Sequence, residues 1–435
     1  MLKKTLQRIL ASIGILEHVR YLKDKQHQAV KDFDQVVSIQ KRRTVETTER
    51  IIAVLPAAAP PGGLGDEALV KGLISYYEPL GYKVVPIAFS NNDHWDYLPK
   101  SLGVLPQNIS EWENLSDLLT SVEWLYVIGA DVMDGGYGIA NTANRLKLVA
   151  ATKALGIGAT ITGFSFNNRC PKILIDLFKK LPDDTAICLR DPESKKRFEN
   201  LVKRQTTQVA DLAFHMKPAT EKIQASNTYK WLATRKHEQS RKLLGLNLCP
   251  HIADDNYSKQ DPQSLANLVE LYEQGAATFL ASQSQYDILL IPHDYRGMLS
   301  DLNLSLILAN RLQRQFGKDR VQVVDEWVNA DEIKAFAAEM DIVFTGRMHL
   351  AIASISMGTP VACFTYQNKF EGLFKLVDLD MTLLASVRQT SPNDFHNMLL
   401  NLATNAKDLQ QKILVSREKL ENLSSQNFAH HIGEA

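Results

Sequence analysis

The chain lacks a long hydrophobic run. No stretch of about 18 uninterrupted apolar residues occurs in the sequence, and a helix needs about that length to cross a bilayer. The sequence therefore predicts no membrane-spanning helix.

A net charge is also absent, because 49 lysine and arginine residues balance 49 aspartate and glutamate residues. Proteins that bind nucleic acid normally carry a basic surface that neutralises phosphates. We therefore expect no nucleic acid partner, and any attraction for anions has to be local.

Cysteine is scarce. The four cysteines, Cys170, Cys188, Cys249 and Cys363, lack the close pairing that is typical of zinc sites. The last three lie in or beside apolar segments that resemble strands, which favours buried, reduced thiols. Reduced thiols suit the cytosol, so we expect a cytoplasmic protein, and no cluster of metal ligands is evident.

The first 47 residues are basic. Residues 1–45 hold ten lysine and arginine residues against four acidic ones, and apolar residues recur at helical spacing at Leu2, Leu6, Ile9, Ile13 and Leu16. This pattern predicts a basic amphipathic helix. Two interpretations stay open: peripheral contact with the anionic inner face of a membrane, or packing on the protein or on a second copy in a homo-oligomer. A short apolar core without a small-residue cleavage site disfavours a signal peptide.

Length and segment order predict two α/β domains. A chain of 435 residues exceeds what one core usually supports. Short apolar segments alternate with helical ones, which is typical of parallel sheets covered by helices on both faces. We predict a helical extension at 1–47, a first α/β domain at 48–216, a linker or exposed helix at 217–244, a second α/β domain at 245–380, and C-terminal helices at 381–435 that pack back across the domains.

Ten segments of these domains are predicted strands. They lie at 51–55, 83–89, 124–128, 159–164 and 185–189 in the first domain, and at 246–249, 286–291, 320–324, 342–345 and 361–365 in the second. In such sheets, ligands collect beyond the carboxyl ends of the strands.

The segment 341–369 predicts a strand, a helix and a second strand. Arg347 and His349 fall where the first strand ends and the helix begins, so the unpaired amides and the positive dipole end of the helix lie beside two basic side chains. This arrangement indicates an anion site. The alternative is that Arg347 pairs with a carboxylate and His349 caps the helix.

Other polar residues also follow predicted strands. Gly65 and Asp66 end a glycine-rich loop that is either a tight turn or a ligand loop, and Asp66 is either a helix cap or an acceptor for a sugar hydroxyl proton. Asp131 and Asp134 are either paired carboxylates or aspartates that bond to the backbone of their own turn. Arg190 either binds an anion or is held by Asp191.

His293 ends a further predicted strand, in Ile291-Pro-His-Asp294. A histidine there can donate to an anion near neutral pH. Alternatively, Asp294 or Asp301 accepts its hydrogen bond.

Several motifs, in order along the chain, resemble the polysaccharide pyruvyl transferase family. The carboxyl-terminal signature of that family reads approximately Arg-x-His, Gly-x-Pro and Tyr-x-x-Lys, and the chain has Arg347-Met-His349, Gly358-Thr-Pro360 and Tyr366-Gln-Asn-Lys369. Earlier segments match in the right order, at 65–68, 128–135, 190–194, 211–214 and 291–294, so the resemblance spans about residues 50–380.

This resemblance implies a glycosyltransferase-B-like fold, with two Rossmann-like domains facing each other across a cleft. It also implies a transferase that uses phosphoenolpyruvate as donor and forms a pyruvate ketal on two hydroxyls of a sugar. The acceptor would be a polysaccharide or a glycan precursor, including a lipid-linked one. Phosphoenolpyruvate would be a co-substrate, with no cofactor and no metal.

Roles for the basic residues follow from that chemistry. Arg347 would pair with the carboxylate or phosphate of the donor, because a guanidinium can pair bidentately with either. His349 would be the general acid or the donor on the phosphate side, with His293 as its partner. Lys369 would add positive charge to the anion pocket, with Arg190 as support.

The acceptor side is expected in the first domain, with Gly65, Asp66, Asp131 and Asp134 as substrate-binding residues. Two alternatives remain open: a glycosyltransferase with a nucleotide-sugar donor, and a noncatalytic carbohydrate-binding protein. The concentration of Arg347, His349 and Lys369 argues against the second, because a pure sugar binder has little use for so much positive charge.

Overall fold

The computed structural model describes residues 28, 31–41, 49–60, 63–253, 261–365 and 370–432. By contacts the chain divides into two compact units. Among the described residues, the first unit comprises those up to Ala57, Tyr82–Thr207 and the end from His430. The second comprises Ala58–Gly81 and Gln208–Ala429. The chain therefore passes between the units more than once.

Two six-stranded sheets form the centres of these units. The strands are β1 Ile51–Leu55, β2 Lys83–Pro86, β3 Val122–Val127, β4 Gly158–Phe164, β5 Ala186–Leu189, β6 Thr207–Gln208, β7 Lys242–Leu246, β8 Tyr286–Leu290, β9 Val321–Val323, β10 Ile342–Thr345, β11 Val361–Phe364 and β12 Leu384–Ala385. Their orders are β2-β1-β3-β4-β5-β6 and β12-β11-β10-β7-β8-β9.

Helices connect the strands. They are α1 at 31–39, and then α2 Leu64–Tyr77, α3 Ile109–Trp112, α4 Leu115–Leu118, α5 Ile139–Ala154, α6 Lys172–Lys180, α7 Pro192–Val202, α8 Thr220–Gln224, α9 Asn227–Ala233, α10 Pro262–Ser282, α11 Asp301–Phe316, α12 Ala330–Glu339, α13 Met348–Ser356, α14 Phe370–Val377, α15 Pro392–Thr404, α16 Ala406–Ser425 and α17 Ala429–Ile432. This alternation confirms the predicted α/β class.

The second sheet has the strand order of a Rossmann fold. Counted from β7, the order is six, five, four, one, two, three, and every neighbouring pair is parallel. Its connectivity reverses between β7 and β10, which are direct neighbours. Ligands of doubly wound sheets bind beyond the carboxyl ends of the strands at such a switch point.

Local sequence explains the elements on either side of that point. Ile342–Thr345 is a fully buried apolar strand. Arg347 stays extended and is the N-cap of α13. The helix ends at Ser356, and Gly358, which follows the C-cap Met357, has a φ of +82°, the left-handed conformation that glycine adopts most easily.

Helix α2 belongs by its contacts to the second unit, although the sequence places it in the first domain. Gly72 explains part of this packing, because a Cβ there would lie 2.1 Å from the carbonyl oxygen of Leu212. Glu67 on the same helix accepts from the backbone N–H of Ala330, and Lys71 pairs with Asp331. The helix is therefore fixed to α12.

Strand β7 begins four residues before its predicted start and ends three residues before its predicted end. The prediction was based on the apolar residues of 246–249. In the structure the buried residues of the strand are Leu243 to Leu246, and Asn247 follows the strand as a buried polar residue. Residues 217–244, predicted as a linker or exposed helix, contain α8 and α9 and begin β7.

Part of the basic N-terminal extension lies within the described chain. Phe33 and Val36 of α1 are buried in the core of the first unit, so this segment packs on the protein. The predicted amphipathic residues from Leu2 to Leu16 lie outside the described residues, and membrane contact there stays a prediction.

All four cysteines are free and buried, as expected. Burial raises the pKa of the Cys170 and Cys188 thiols to about 12, so both stay protonated. Within the described ranges, no helix combines the length and the apolar character that crossing a membrane requires.

Candidate active site

Asn247 joins three strands of the second sheet at the switch point. Its side-chain amide, which is fully buried, donates to the carbonyl of Ile291 at 3.0 Å and to Asp301 at 2.9 Å. Its carbonyl oxygen accepts from the hydroxyl of Thr345 at 3.0 Å. The ends of β7, β8 and β10 are thus fixed around one carboxylate.

That carboxylate holds Arg347. Nη2 of Arg347 donates to Oδ1 of Asp301 at 2.6 Å, and Nε lies 3.1 Å from Oδ2. Asp301 is fully buried and the Arg347 side chain is 13% exposed. Burial alone would lower the pKa of Arg347, but Asp301 raises it well above its ordinary value. Burial raises the pKa of Asp301, and Arg347 opposes this.

A second buried carboxylate lies beside the first. Asp294 accepts from Nε of Arg296 at 3.0 Å and from its Nη2 at 2.7 Å, and it lies 3.5 Å from Nη2 of Arg347. Burial would raise the pKa of Asp294, but the two guanidinium groups hold it below its usual value. The two arginines are therefore balanced by two aspartates.

An open cavity of about 370 Å³ borders this group. Arg347, Asp294 and Arg296 line it together with His251 and the loop 297–300. Arg296 has a side chain 45% exposed, so it presents more of its guanidinium to solvent than Arg347 does. The cavity can accept a small anion that contacts both arginines.

His349 lies in the first turn of α13, with a side chain 15% exposed. Its Nε2 is buried and lies 3.6 Å from Oδ2 of Asp211, just beyond hydrogen-bond distance. Its Nδ1 faces Gly65 so closely that a Cβ there would lie 2.4 Å away. One ring nitrogen is thus directed at a carboxylate and the other at the start of α2.

His293 is 4% exposed, and its backbone N–H donates to Asp301 at 3.1 Å. Burial lowers the pKa of His293 to about 3, and the positive charges of His349 and Arg347 act in the same direction. His293 is therefore neutral at neutral pH and is poorly suited to deliver a proton.

The start of α2 borders the same group. Gly63 and Asp294 form an antiparallel bridge, and a Cβ on Gly63 would lie 2.8 Å from Cζ of Arg296. Asp66 lies 3.8 Å from Nη1 of Arg296. Two glycines therefore let the N-terminal turn of α2 approach Arg296 and His349.

The first unit holds the other predicted residues. Arg190 follows β5 and donates to the hydroxyl of Ser165 at 2.8 Å. Asp134 accepts from the backbone N–H of Gly136 at 3.0 Å and from Asn167, which is the turn-stabilising alternative. The hydroxyl of Tyr137 donates to Asp131 at 3.2 Å.

Five of the predicted site residues thus belong to one cluster in the second unit: Arg347, His349, His293, Gly65 and Asp66. Arg190, Asp131 and Asp134 belong to the first unit, and Lys369 lies outside the described residues. The pairing of Arg347 with a carboxylate, left open by the sequence, is present. Whether these residues contact substrate stays a prediction.

Sequence reasoning missed Arg296. A signal was available, because Arg296 follows the end of β8 by a few residues and stands two residues after Asp294, which it pairs with. The contact between Asp211 and His349 had no such signal, because it joins distant parts of the chain.

In the described residues, no group of three or more histidine, cysteine and acidic side chains forms a candidate metal site.

Solved structures with a similar fold include several sugar-nucleotide enzymes. A UDP-N-acetylglucosamine 2-epimerase superposes with a TM-score of 0.56 at 12% identity, covering 89% of this chain and 97% of the other. The S. aureus MnaA complex with UDP gives 0.53 at 11%, covering 87% and 96%. Phytolacca americana UGT2, complexed with UDP-2-fluoro-glucose and pterostilbene, gives 0.52 at 12%, covering 87% and 95%. At these identities the likeness establishes the fold alone, two Rossmann-like units of the glycosyltransferase-B kind.

No protein with curated annotation matches the chain significantly. The model of the polysaccharide pyruvyl transferase family, in contrast, matches residues 64–368. That range contains the motifs that meet around Asp301 and His349 and covers well over half of the sequence. The chain belongs to the polysaccharide pyruvyl transferase family.

Proposed function

We propose that this protein transfers the three carbons of phosphoenolpyruvate to two hydroxyls of a sugar, forming a pyruvate ketal and releasing phosphate. The observation that carries the proposal is the meeting of the Arg347-Met-His349 motif with Gly65, from another motif of the family, at the switch point of the second sheet. That position is where doubly wound sheets bind ligands.

Arg296 and Arg347 are the proposed anion-binding groups. Both line the cavity, and each is fixed by an aspartate before any ligand arrives. Preorganised cations stabilise developing negative charge more effectively than groups that have to reorient. Helices α11 and α13 begin beside them, and their N-terminal dipole ends add positive potential at the same edge.

His349 is the proposed proton donor. A proton delivered to the methylene carbon of the donor leaves an oxocarbenium-like centre at the neighbouring carbon, and the first sugar hydroxyl adds there. The carbon–oxygen bond to phosphate then breaks, and the second hydroxyl closes the ring. The two hydroxyls release two protons: one replaces the proton spent on the methylene, and the other leaves with phosphate.

His293 has a different proposed role. With its pKa lowered to about 3 by burial, it is neutral through the reaction and can orient a substrate oxygen by a hydrogen bond. Of the two histidines, His293 is the worse candidate for the general acid, because burial lowers its pKa far below neutral pH; His349 is therefore the proposed one.

The direct test is incubation with phosphoenolpyruvate and a panel of sugars while phosphate release is measured. We expect phosphate release that depends on the sugar, and a product whose mass exceeds the acceptor by pyruvate less one water. Phosphate release without a sugar would indicate simple hydrolysis. No release with any sugar, together with thermal stabilisation by a nucleotide sugar but not by phosphoenolpyruvate, would replace the proposal with a glycosyltransferase. Sugar binding without stabilisation by either donor would favour a noncatalytic carbohydrate-binding protein.

A further inference from the structure

We propose that Asp211 is the positioning residue for His349: it accepts the Nε2–H hydrogen bond and thereby leaves Nδ1 as the nitrogen that meets the substrate. The catalytic part of this inference rests on the proposed function. The assignment of the tautomer does not, because it concerns the protein without substrate.

The geometry around the imidazole carries the inference. Nε2 is buried, has no hydrogen-bond partner in the described chain, and lies 3.6 Å from Oδ2 of Asp211. A shift of a few tenths of an ångström brings the two atoms into hydrogen-bond distance. The opposite tautomer would direct the lone pair of Nε2 at a carboxylate oxygen inside the protein, an arrangement with no compensating hydrogen bond.

Asp211 is itself held firmly. Its Oδ1 accepts from the backbone N–H of Ala213 at 3.0 Å and caps the 3-10 turn Leu212–Phe214. Its backbone carbonyl accepts from the hydroxyl of Ser424 at 2.8 Å. One carboxylate oxygen is therefore occupied by the turn, and the other is the one that faces His349.

A buried lysine fixes the same turn from α12. Nζ of Lys334, which is 3% exposed, donates to the carbonyls of Ala213, Phe214 and Met216. A carboxylate on so rigid a turn can set the orientation of a histidine that lies on another element. Such a partner determines which imidazole nitrogen carries the proton.

Nδ1 is consequently the reacting nitrogen. It faces Gly65, where a Cβ would lie 2.4 Å away, so the ring cannot move further toward α2. Nδ1 donates only from the imidazolium form, in which Asp211 accepts from Nε2–H and Nδ1 carries the second proton. It lies beside the N-terminal turn of α2, where an anionic substrate gains from the helix dipole.

The Asp211→Asn variant tests whether Asp211 sets the tautomer of His349 or only fills space beside it. If the amide oxygen of asparagine keeps the cap on Ala213, its NH₂ group faces Nε2 and can only donate. Nε2 then has to be the acceptor, so the proton moves to Nδ1. A substitution of nearly equal size thus reverses the tautomer of His349.

Nitrogen-15 NMR of the imidazole groups tests the assignment in the intact protein without substrate. We expect the Nε2–H tautomer of His349 in the wild type and the Nδ1–H tautomer in Asp211→Asn. Asp380→Asn is the matched control, because Asp380 caps the 3-10 turn Met381–Leu383 in the same way and is exposed. It should leave the His349 signals unchanged. An Nδ1–H tautomer in the wild type, or the same tautomer in wild type and Asp211→Asn, would overturn the inference.

Kinetics then tests the catalytic part. In the phosphate-release assay, Asp211→Asn should lower kcat about 100-fold or more while the KM for phosphoenolpyruvate changes less than about threefold. An equal kcat in the presence of a reversed tautomer would remove Asp211 from catalysis. If no sugar supports phosphate release, the proposed function fails, and the NMR result still decides the positioning of His349.

Discussion

Arg347 and Asp301 form a bidentate ion pair between the N-cap of α13 and the first residue of α11, 46 positions apart in sequence. The aspartate is fully buried and also accepts from Asn247 and from the backbone of His293. The arginine borders the cavity. Its charge is thus held in place before any ligand arrives.

Replacing Asp301 should therefore lower the stability of the folded protein. Asp301→Ala removes the bidentate partner of the buried Arg347 and leaves only Asp294, 3.5 Å away; breaking a buried pair typically lowers the free energy of unfolding by about 3–5 kcal/mol. Urea denaturation measures this. Asp261→Ala, which removes an exposed helix cap, should lower the same free energy by about 1 kcal/mol. A loss at Asp301 no larger than at Asp261 would contradict the ion pair.

Gly65→Ala should damage activity more than stability. The added Cβ would lie 2.4 Å from Nδ1 of His349, so the imidazole has to turn away from its position. We expect kcat for phosphate release to fall at least about tenfold. Gly317→Ala is the control, because its position has a φ of +85° and open space around it. That variant should lose about 1–3 kcal/mol of stability, because the backbone at Gly317, with a ψ of 158°, lies in a region that essentially only glycine occupies. It should keep its kcat, and equal kcat values for both variants would exclude the predicted contact.

Arg296→Ala should weaken donor binding. Arg296 contributes a half-exposed guanidinium to the cavity, so we expect the KM for phosphoenolpyruvate to rise about tenfold, with a smaller effect at high salt. Arg311→Ala is matched in exposure, since both side chains are 45% exposed, but Arg311 pairs with Glu273 away from the cavity. Its KM should stay at the wild-type value. An unchanged KM in Arg296→Ala would remove that residue from the anion site.

Acidification should destabilise the wild type more than His293→Gln. Burial lowers the pKa of His293 from 6.5 to about 3, so the unfolded chain binds a proton there that the folded chain does not. The free energy of unfolding that the neutral His293 contributes is fully present above pH 6.5. It is lost as the pH falls toward the pKa of His293 in the folded protein, at about 1.4 kcal/mol per pH unit below pH 6. Urea denaturation at several pH values between 6.5 and 5 should give a steeper loss for the wild type. Parallel curves for the two proteins would show that His293 does not titrate in this way.

The strands that could be predicted are those whose signal lies in a short stretch of the sequence itself. Ile342–Thr345 was found because a short buried apolar run between turn residues is a strand signal in itself. Strand β7 was placed too late because Leu248 and Cys249 are apolar and buried without belonging to the strand. The edge strands Thr207–Gln208 and Leu384–Ala385 are two residues long, and so short a segment has no periodicity to detect.

The site was predictable only in part for the same reason. Arg347 and His349 were found from a motif and from their place at a strand end. Their partners Asp301 and Asp211 come from other segments, and nothing local in the sequence says that these carboxylates converge on the motif. The family motif identified the candidate site residues, and only the tertiary structure identified the carboxylates that pair with them.

The origin of α2 has a consequence for how the protein is made. This helix contributes Gly65 to the His349 side of the site, yet it lies in the sequence between the first two strands of the other unit. During synthesis, α2 is therefore made well before β7 to β12. The face of α2 that is buried in the folded protein stays exposed until α12 and the segment around Asp211 have been made. A fragment that starts near Gln208 would lack that helix. We expect this fragment to be insoluble when it is expressed alone, and soluble when it is expressed together with residues 58–81.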